Sequence, residues 1–181
     1  MVEENGVKTL IAPPIGANWQ VEPVEPLFLC GEFDQTVDDK NRLSVPAELR
    51  RMIEPQEYGE NLIVIVGSNK KPWLYPDKYY KKLLSKFTPQ AAPPKELLRF
   101  DHFNISMTFP VSVDKQGRLV LPEKIVRRTG VKGDVTVAGA RDHIEIWPRA
   151  EWEAYYDSMS DDPADVALKA RAAADEGDRS F

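Results

Sequence analysis

Two stretches of this chain carry the same pattern, and any fold must accommodate both. Phe33-Asp34-Gln35-Thr36-Val37-Asp38-Asp39-Lys40-Asn41-Arg42-Leu43-Ser44-Val45-Pro46 aligns without a gap to Phe109-Pro110-Val111-Ser112-Val113-Asp114-Lys115-Gln116-Gly117-Arg118-Leu119-Val120-Leu121-Pro122. Phe, Val, Asp, Arg, Leu and Pro coincide, and aliphatic residues meet at Val45/Leu121 and Leu49/Ile125. After loops of different length the register returns: Leu62–Gly67 matches Asp134–Gly139, and Tyr75-Pro76 matches Trp147-Pro148. A register lost and then regained argues for a duplicated module rather than chance similarity.

Each copy can be read locally. Alternating apolar residues (Phe33, Val37; Phe109, Val111, Val113) predict a strand with one buried face. An Asp-rich turn follows, with Asn41 or Gly117 just before the arginine, and both residue types tolerate the positive φ of tight turns. Short second strands are expected at Leu43–Val45 and Leu119–Leu121. Pro46 and Pro122 then open short helices, Ala47–Ile53 and Glu123–Thr129, and Gly130 stops the second. Two more strands complete each copy. Pro76 and Pro148 lead into amphipathic helices bearing Tyr79, Tyr80, Leu83, Leu84 and Phe87, and Trp152, Tyr155, Tyr156 and Met159.

Strands this short do not support an independent sheet, so the two modules need each other. The expectation is an α+β fold: an interlocked, pseudo-symmetric small barrel with peripheral helices. Its parts are a flexible leader (1–26), a first copy (27–90), a linker helix (91–104, helical over Lys95–Phe103), a second copy (105–159) and an acidic tail (160–181) with a short exposed helix from Pro163 and frayed last residues.

Charge is informative in its distribution. The net charge is −5, yet Glu3, Glu4, Glu22 and Glu25 load the leader, and Asp157, Asp161, Asp162, Asp165, Asp175, Glu176 and Asp178 load the end. The body between them is weakly basic, which suits a local phosphate-binding patch. The longest apolar run, Leu62–Val66, is strand-sized and far short of the roughly 20 residues a membrane helix needs. The acidic start Met1-Val2-Glu3-Glu4 does not resemble a secretory signal. A soluble, cytoplasmic protein is expected. Cys30 is the only cysteine, a small hydrophobe that can form no intrachain disulfide.

The chemistry centres on the duplicated Asp-x-x-x-Arg turn. Asp38 and Asp114 can accept turn N–H groups while pairing with Arg42 and Arg118. Guanidinium donors would then project from the hairpins. A two-stranded ribbon fits the DNA major groove, where arginine reads guanine, and Lys40 and Lys115 suit phosphate contact. A single such turn reads more readily as a structural ion pair; its repetition at matched positions brings the functional reading level with it. Arg50-Arg51 and Arg127-Arg128 fall in last helical turns, where the helix dipole alone favours positive charge. Lys81-Lys82 reads as a solvated face.

On these residues the sequence resembles the MraZ family of bacterial transcriptional regulators. The resemblance runs from about Phe28 to Tyr156 and rests on Gly31-Glu32-Phe33, both Asp-x-x-x-Arg segments and His143-Ile144-Glu145-Ile146-Trp147. It implies tandem AbrB-like halves in a swapped-hairpin barrel packed as a pseudo-dimer. It further implies a ring-shaped homo-oligomer in the cytoplasm, associated with the nucleoid, and binding to short direct repeats of double-stranded DNA upstream of its own operon, the cell division and cell wall gene cluster. Carried across, Lys40 and Arg42 are the strongest contact candidates, then Arg118 and Lys115, with Asp38 and Asp114 orienting the arginines and Asn41 and Gly117 shaping the turns. Asn41 departs from the family's usual glycine, and the leader before Phe28 is unusually long.

Other readings are weaker. His102 and His143 are the only histidines, neither lies beside a nucleophile motif, and no Gly-rich phosphate loop occurs. Asp34, Asp38 and Asp39 could bind a metal, but the turn explains two of them. No catalytic residue, metal or cofactor is therefore expected. A module whose hairpins meet a protein partner stays open beside DNA binding.

Overall fold

The computed structural model of the chain describes residues 27–85, 93–159 and 162–178. The expected leader and the first residues of the expected linker lie outside these. Each copy contributes four strands: β1 (Glu32–Val37), β2 (Arg42–Ser44), β3 (Leu62–Val66) and β4 (Pro72–Pro76), then β5 (Phe109–Val111), β6 (Arg118–Val120), β7 (Gly133–Gly139) and β8 (Ile144–Pro148). Helices α1 (Ala47–Arg51), α2 (Pro55–Tyr58) and α3 (Asp77–Leu84) belong to the first copy. After α4 (Lys95–Phe103), α5 (Glu123–Thr129) and α6 (Arg149–Ser158) belong to the second, and α7 (Pro163–Asp178) follows.

The copies do not form separate sheets. Six strands make one antiparallel sheet in the order β1-β7-β8-β4-β3-β5, and β2 pairs with β6 in a separate ribbon. Within a copy only β3·β4 and β7·β8 pair; β1·β7, β4·β8, β3·β5 and β2·β6 all join one copy to the other. Exchanging each strand for its counterpart returns the same order reversed, so the duplication is expressed as an approximate two-fold relation. The result is a mixed helix and antiparallel-sheet fold, as the strand lengths required.

Apolar side chains from both copies share one core. Leu43, Val45, Leu49, Leu62, Val64 and Leu74 pack with Leu119, Leu121, Ile125, Val135, Val137 and Ile146. The matched pair Leu49 and Ile125 is completely buried. A second cluster, Ile63, Ile65, Tyr75 and Tyr80, lies on the other face of β3 and β4 beneath α3. Here His143 sits buried beside the Trp73 and Tyr75 rings, with centroids 4.1 and 5.0 Å away. Burial works against charge on its imidazole, but hydrogen bonds to Asp142 and Glu145 outweigh it and hold the pKa above the ordinary 6.5.

Several local boundaries differ from the sequence expectation. Pro46, Pro76, Pro122 and Pro148 sit at the N-caps rather than inside the first turn; the Pro46 and Pro122 carbonyls accept the first helical bonds from Arg50 and Val126. α1 stops at Arg51, leaving Met52 and Ile53 in the following turn. α5 ends as expected, with Gly130 left-handed at φ 71° and its N–H donated to the Val126 carbonyl. β2 and β6 each begin and end one residue earlier than expected. Val45 and Leu121 still donate in register to the carbonyls of Gly117 and Asn41 at 2.8 Å each, but the Gly117 and Asn41 N–H groups turn back to Asp114 and Asp38, so the ladder ends there. α7 is exposed along its described side chains and runs to Asp178, and the residues after it, the last of those expected to fray, lie outside the described residues.

Candidate nucleic-acid interface

The two Asp-x-x-x-Arg segments fold into the same hydrogen-bonded turn. One Asp38 oxygen accepts the backbone N–H groups of Lys40 (2.9 Å) and Arg42 (2.8 Å), and the other accepts Arg42 Nε at 2.6 Å. Asp114 does the same for Gln116 (2.8 Å), Arg118 N–H (2.9 Å) and Arg118 Nε (3.0 Å). Each guanidinium also gives an Nη2 contact to its carboxylate, at 2.6 Å for Arg42 and 2.9 Å for Arg118. A side chain that caps its own turn and grips the arginine beyond it therefore fixes backbone and guanidinium together.

Charge in these turns is secure. The Arg42 backbone N–H, foremost, with its guanidinium and the Lys40 N–H, holds the Asp38 carboxyl below the ordinary 3.8 against a desolvation that works the other way. The Arg118 N–H leads the same set of effects at Asp114. Both carboxylates stay ionised at neutral pH, and both arginines stay paired. Five N–H donors belong to a guanidinium, and the carboxylate occupies only the Nε and Nη2 edge. The rest of each side chain is open to solvent, at 44% exposure for Arg42 and 40% for Arg118.

The inter-copy ribbon brings these arginines onto one face. Arg42 lies opposite Val120, Leu43 opposite Leu119, and Ser44 opposite Arg118. Alternation along three-residue strands sends Leu43 and Leu119 into the core, each 1% exposed, and turns the other four residues outward. Lys40 and Lys115 stand exposed in the adjoining turns. The structure thus gathers Arg42 and Arg118 from distant parts of the chain, each beside its own aspartate.

The turns differ in how their positive φ is met. Asn41 adopts φ 58° and Gly117 φ 81°. Gly117 is buried because Arg50, from α1 of the other copy, lies across it and donates Nε to the Val45 carbonyl at 3.1 Å. A Cβ at Gly117 would sit 2.7 Å from the Arg50 guanidinium carbon. Arg50 is thus a support of the second turn that the helix-dipole reading missed; the one sequence signal was glycine at 117 where the first copy has asparagine. Gly117→Ala is expected to cost about 1–2 kcal/mol from the left-handed backbone alone, measured by urea unfolding. Asn41→Gly, at a position an asparagine already tolerates, should be near neutral.

Among the described residues no cluster of three or more His, Cys, Asp or Glu side chains could hold a metal, and no helix is long and apolar enough to cross a membrane. The fold and site define a duplicated, interlocked β-ribbon protein with two aspartate-paired arginines on its outer face. A family model described as "MraZ protein, putative antitoxin-like" matches residues 28–101 and 105–174. The chain belongs to the MraZ family of transcriptional regulators. It is 31% identical to a transcriptional regulator MraZ of Clostridium tetani, over 72% of this chain and 89% of the relative. A transcriptional regulator MraZ of Dehalococcoides mccartyi is 32% identical over 68% of this chain and 84% of its own length. The solution structure of PHS018 from Pyrococcus horikoshii aligns with 68% of this chain at 17% identity, with a TM-score of 0.29. That value is too low to bear on the fold.

Proposed function

We propose that the chain is a sequence-specific DNA-binding transcriptional regulator that inserts the β2/β6 ribbon into the major groove. The observation that carries this reading is the inter-copy register, which sets Arg42 and Arg118 on one exposed face while Asp38 and Asp114 hold them in place. A two-stranded ribbon fits the major groove, and an arginine there pairs with guanine O6 and N7. Lys40 and Lys115 contact flanking phosphates, fixing register without reading sequence. Lys40 stands two residues before Arg42 where the second copy has Gln116, so the first turn is the stronger reader.

The finer picture follows the family. The two copies (27–90 and 105–159), joined by a linker helix and flanked by leader and tail, act as AbrB-like halves of a swapped-hairpin barrel. The cross-copy bonds from Val45 to Gly117 and from Leu121 to Asn41 support that topology. Chains assemble into a nucleoid-associated ring, and each subunit meets one short direct repeat upstream of its own operon in the cell division and cell wall cluster. One modest contact per repeat becomes useful affinity only when repeat spacing matches subunit spacing.

Gel shifts on the DNA upstream of the chain's own gene, carrying one to four repeats, test this reading. Affinity is expected to rise about 100-fold or more from one repeat to several and to fall steeply with salt as counterions are released. Equal affinity for one repeat and for four would overturn the multivalent mechanism.

A further inference from the structure

The ribbon's outer face is symmetric in its arginines and asymmetric in everything else. The approximate two-fold relation exchanges Arg42 with Arg118, and it exchanges Ser44 with Val120. One pair is chemically identical; the other sets a hydroxyl against an isopropyl group. Val120 is 56% exposed, on a face otherwise made of two guanidiniums and a serine. Strand propensity explains a β-branched residue here, but threonine would satisfy it without presenting both methyl groups to water.

Cross-strand pairing places Val120 directly opposite Arg42, and directly opposed side chains have Cβ atoms about 5 Å apart. Base pairs rise by about 3.4 Å along a strand. A ribbon whose Arg42 reaches a guanine therefore sets Val120 over a neighbouring base step. The one apolar group on a major-groove base edge is the C5-methyl of thymine. Ser44, at the matching place beside Arg118, can donate or accept and selects no methyl.

We propose that Val120 is a specificity-determining residue that packs on the C5-methyl of a thymine next to the guanine read by Arg42. The two halves of the face thereby read different bases, and the recognised word has a direction. A word with a direction suits repeats arranged head to tail, whereas a fully symmetric face would favour a palindrome. This inference rests on the DNA-binding reading above and narrows it to one base.

Uracil differs from thymine only in lacking that methyl, so a uracil scan isolates the contact. The full chain is titrated, by fluorescence anisotropy, against its upstream DNA with each thymine position of the repeats replaced in turn by uracil. One position is expected to lower wild-type affinity about fourfold per repeat. Val120→Ser, which removes both methyl groups and matches Ser44 at an exposed site, should bind thymine and uracil versions of that position equally. Ser44→Val should gain a second sensitive thymine on the other side. Wild-type indifference at every position, or the same sensitive thymine surviving in Val120→Ser, would overturn the proposal while leaving DNA binding standing. Failure to bind the unmodified repeats would remove the DNA-binding reading itself, and this inference with it.

Discussion

Arg42→Ala is expected to lower affinity for a single DNA word by roughly 5- to 150-fold, the span of one bidentate arginine–guanine contact. On several repeats the losses multiply, so binding at practical concentrations should disappear. A second effect pushes the same way. Removing the guanidinium leaves Asp38, held ionised by the turn N–H groups of Lys40 and Arg42, facing phosphate without its counter-charge. The fold should be indifferent, because an exposed ion pair contributes about 0–1 kcal/mol and the Asp38 backbone bonds survive. Size-exclusion chromatography should therefore show an unchanged assembly while anisotropy shows lost binding. Arg42→Lys separates charge from geometry: it should keep most of the salt dependence but lose discrimination between matched and mismatched words. Arg118→Ala should weaken binding less, since the second turn has Gln116 where the first has Lys40.

Leu43→Ala is expected to destabilise the whole chain by about 2–5 kcal/mol, the range for deleting a fully packed leucine. Leu43 is buried in the shared core, opposite Leu119 across the ribbon. That range is a large part of the 5–15 kcal/mol that holds a typical domain together. Urea unfolding should show one transition with a lower midpoint and an unchanged slope. A single transition is expected because four of the six strand pairings join one copy to the other, so neither copy alone retains more than one two-stranded pairing. Leu43→Ala with Leu119→Ala should cost a different amount from the sum of the two, as neighbours sharing one cavity do. Two separate transitions would contradict the interlocked core.

Much of this was legible in the residues. The paired aspartates and arginines, the positive-φ positions Asn41 and Gly117, and helices α3, α4, α5 and α6 follow from local chemistry that short windows of sequence contain. Which strand meets which does not. A three-residue strand with one buried leucine has too little alternation to name its partner, so the β2·β6 pairing that unites Arg42 with Arg118 is a tertiary fact. The shortened strand ends arise where Val45 and Leu121 meet Gly117 and Asn41, whose own N–H groups turn back to Asp114 and Asp38. α2 was missed although Pro55 stands in its first turn, since four residues carry no period. Arg50 carried only a helix-end reading, because its approach to Gly117 of the other copy exists only in the folded chain.

Sequence-specific recognition through the ribbon is best tested by titrating the intact chain against two DNAs of equal length and composition at one fixed salt concentration. One carries the upstream repeats in order; the other carries the same bases scrambled. The expected result is an affinity ratio of about 1,000 or more in favour of the ordered repeats, collapsing toward one in Arg42→Ala. Equal affinity of the wild-type chain for both DNAs, or an undiminished ratio in Arg42→Ala, would contradict it.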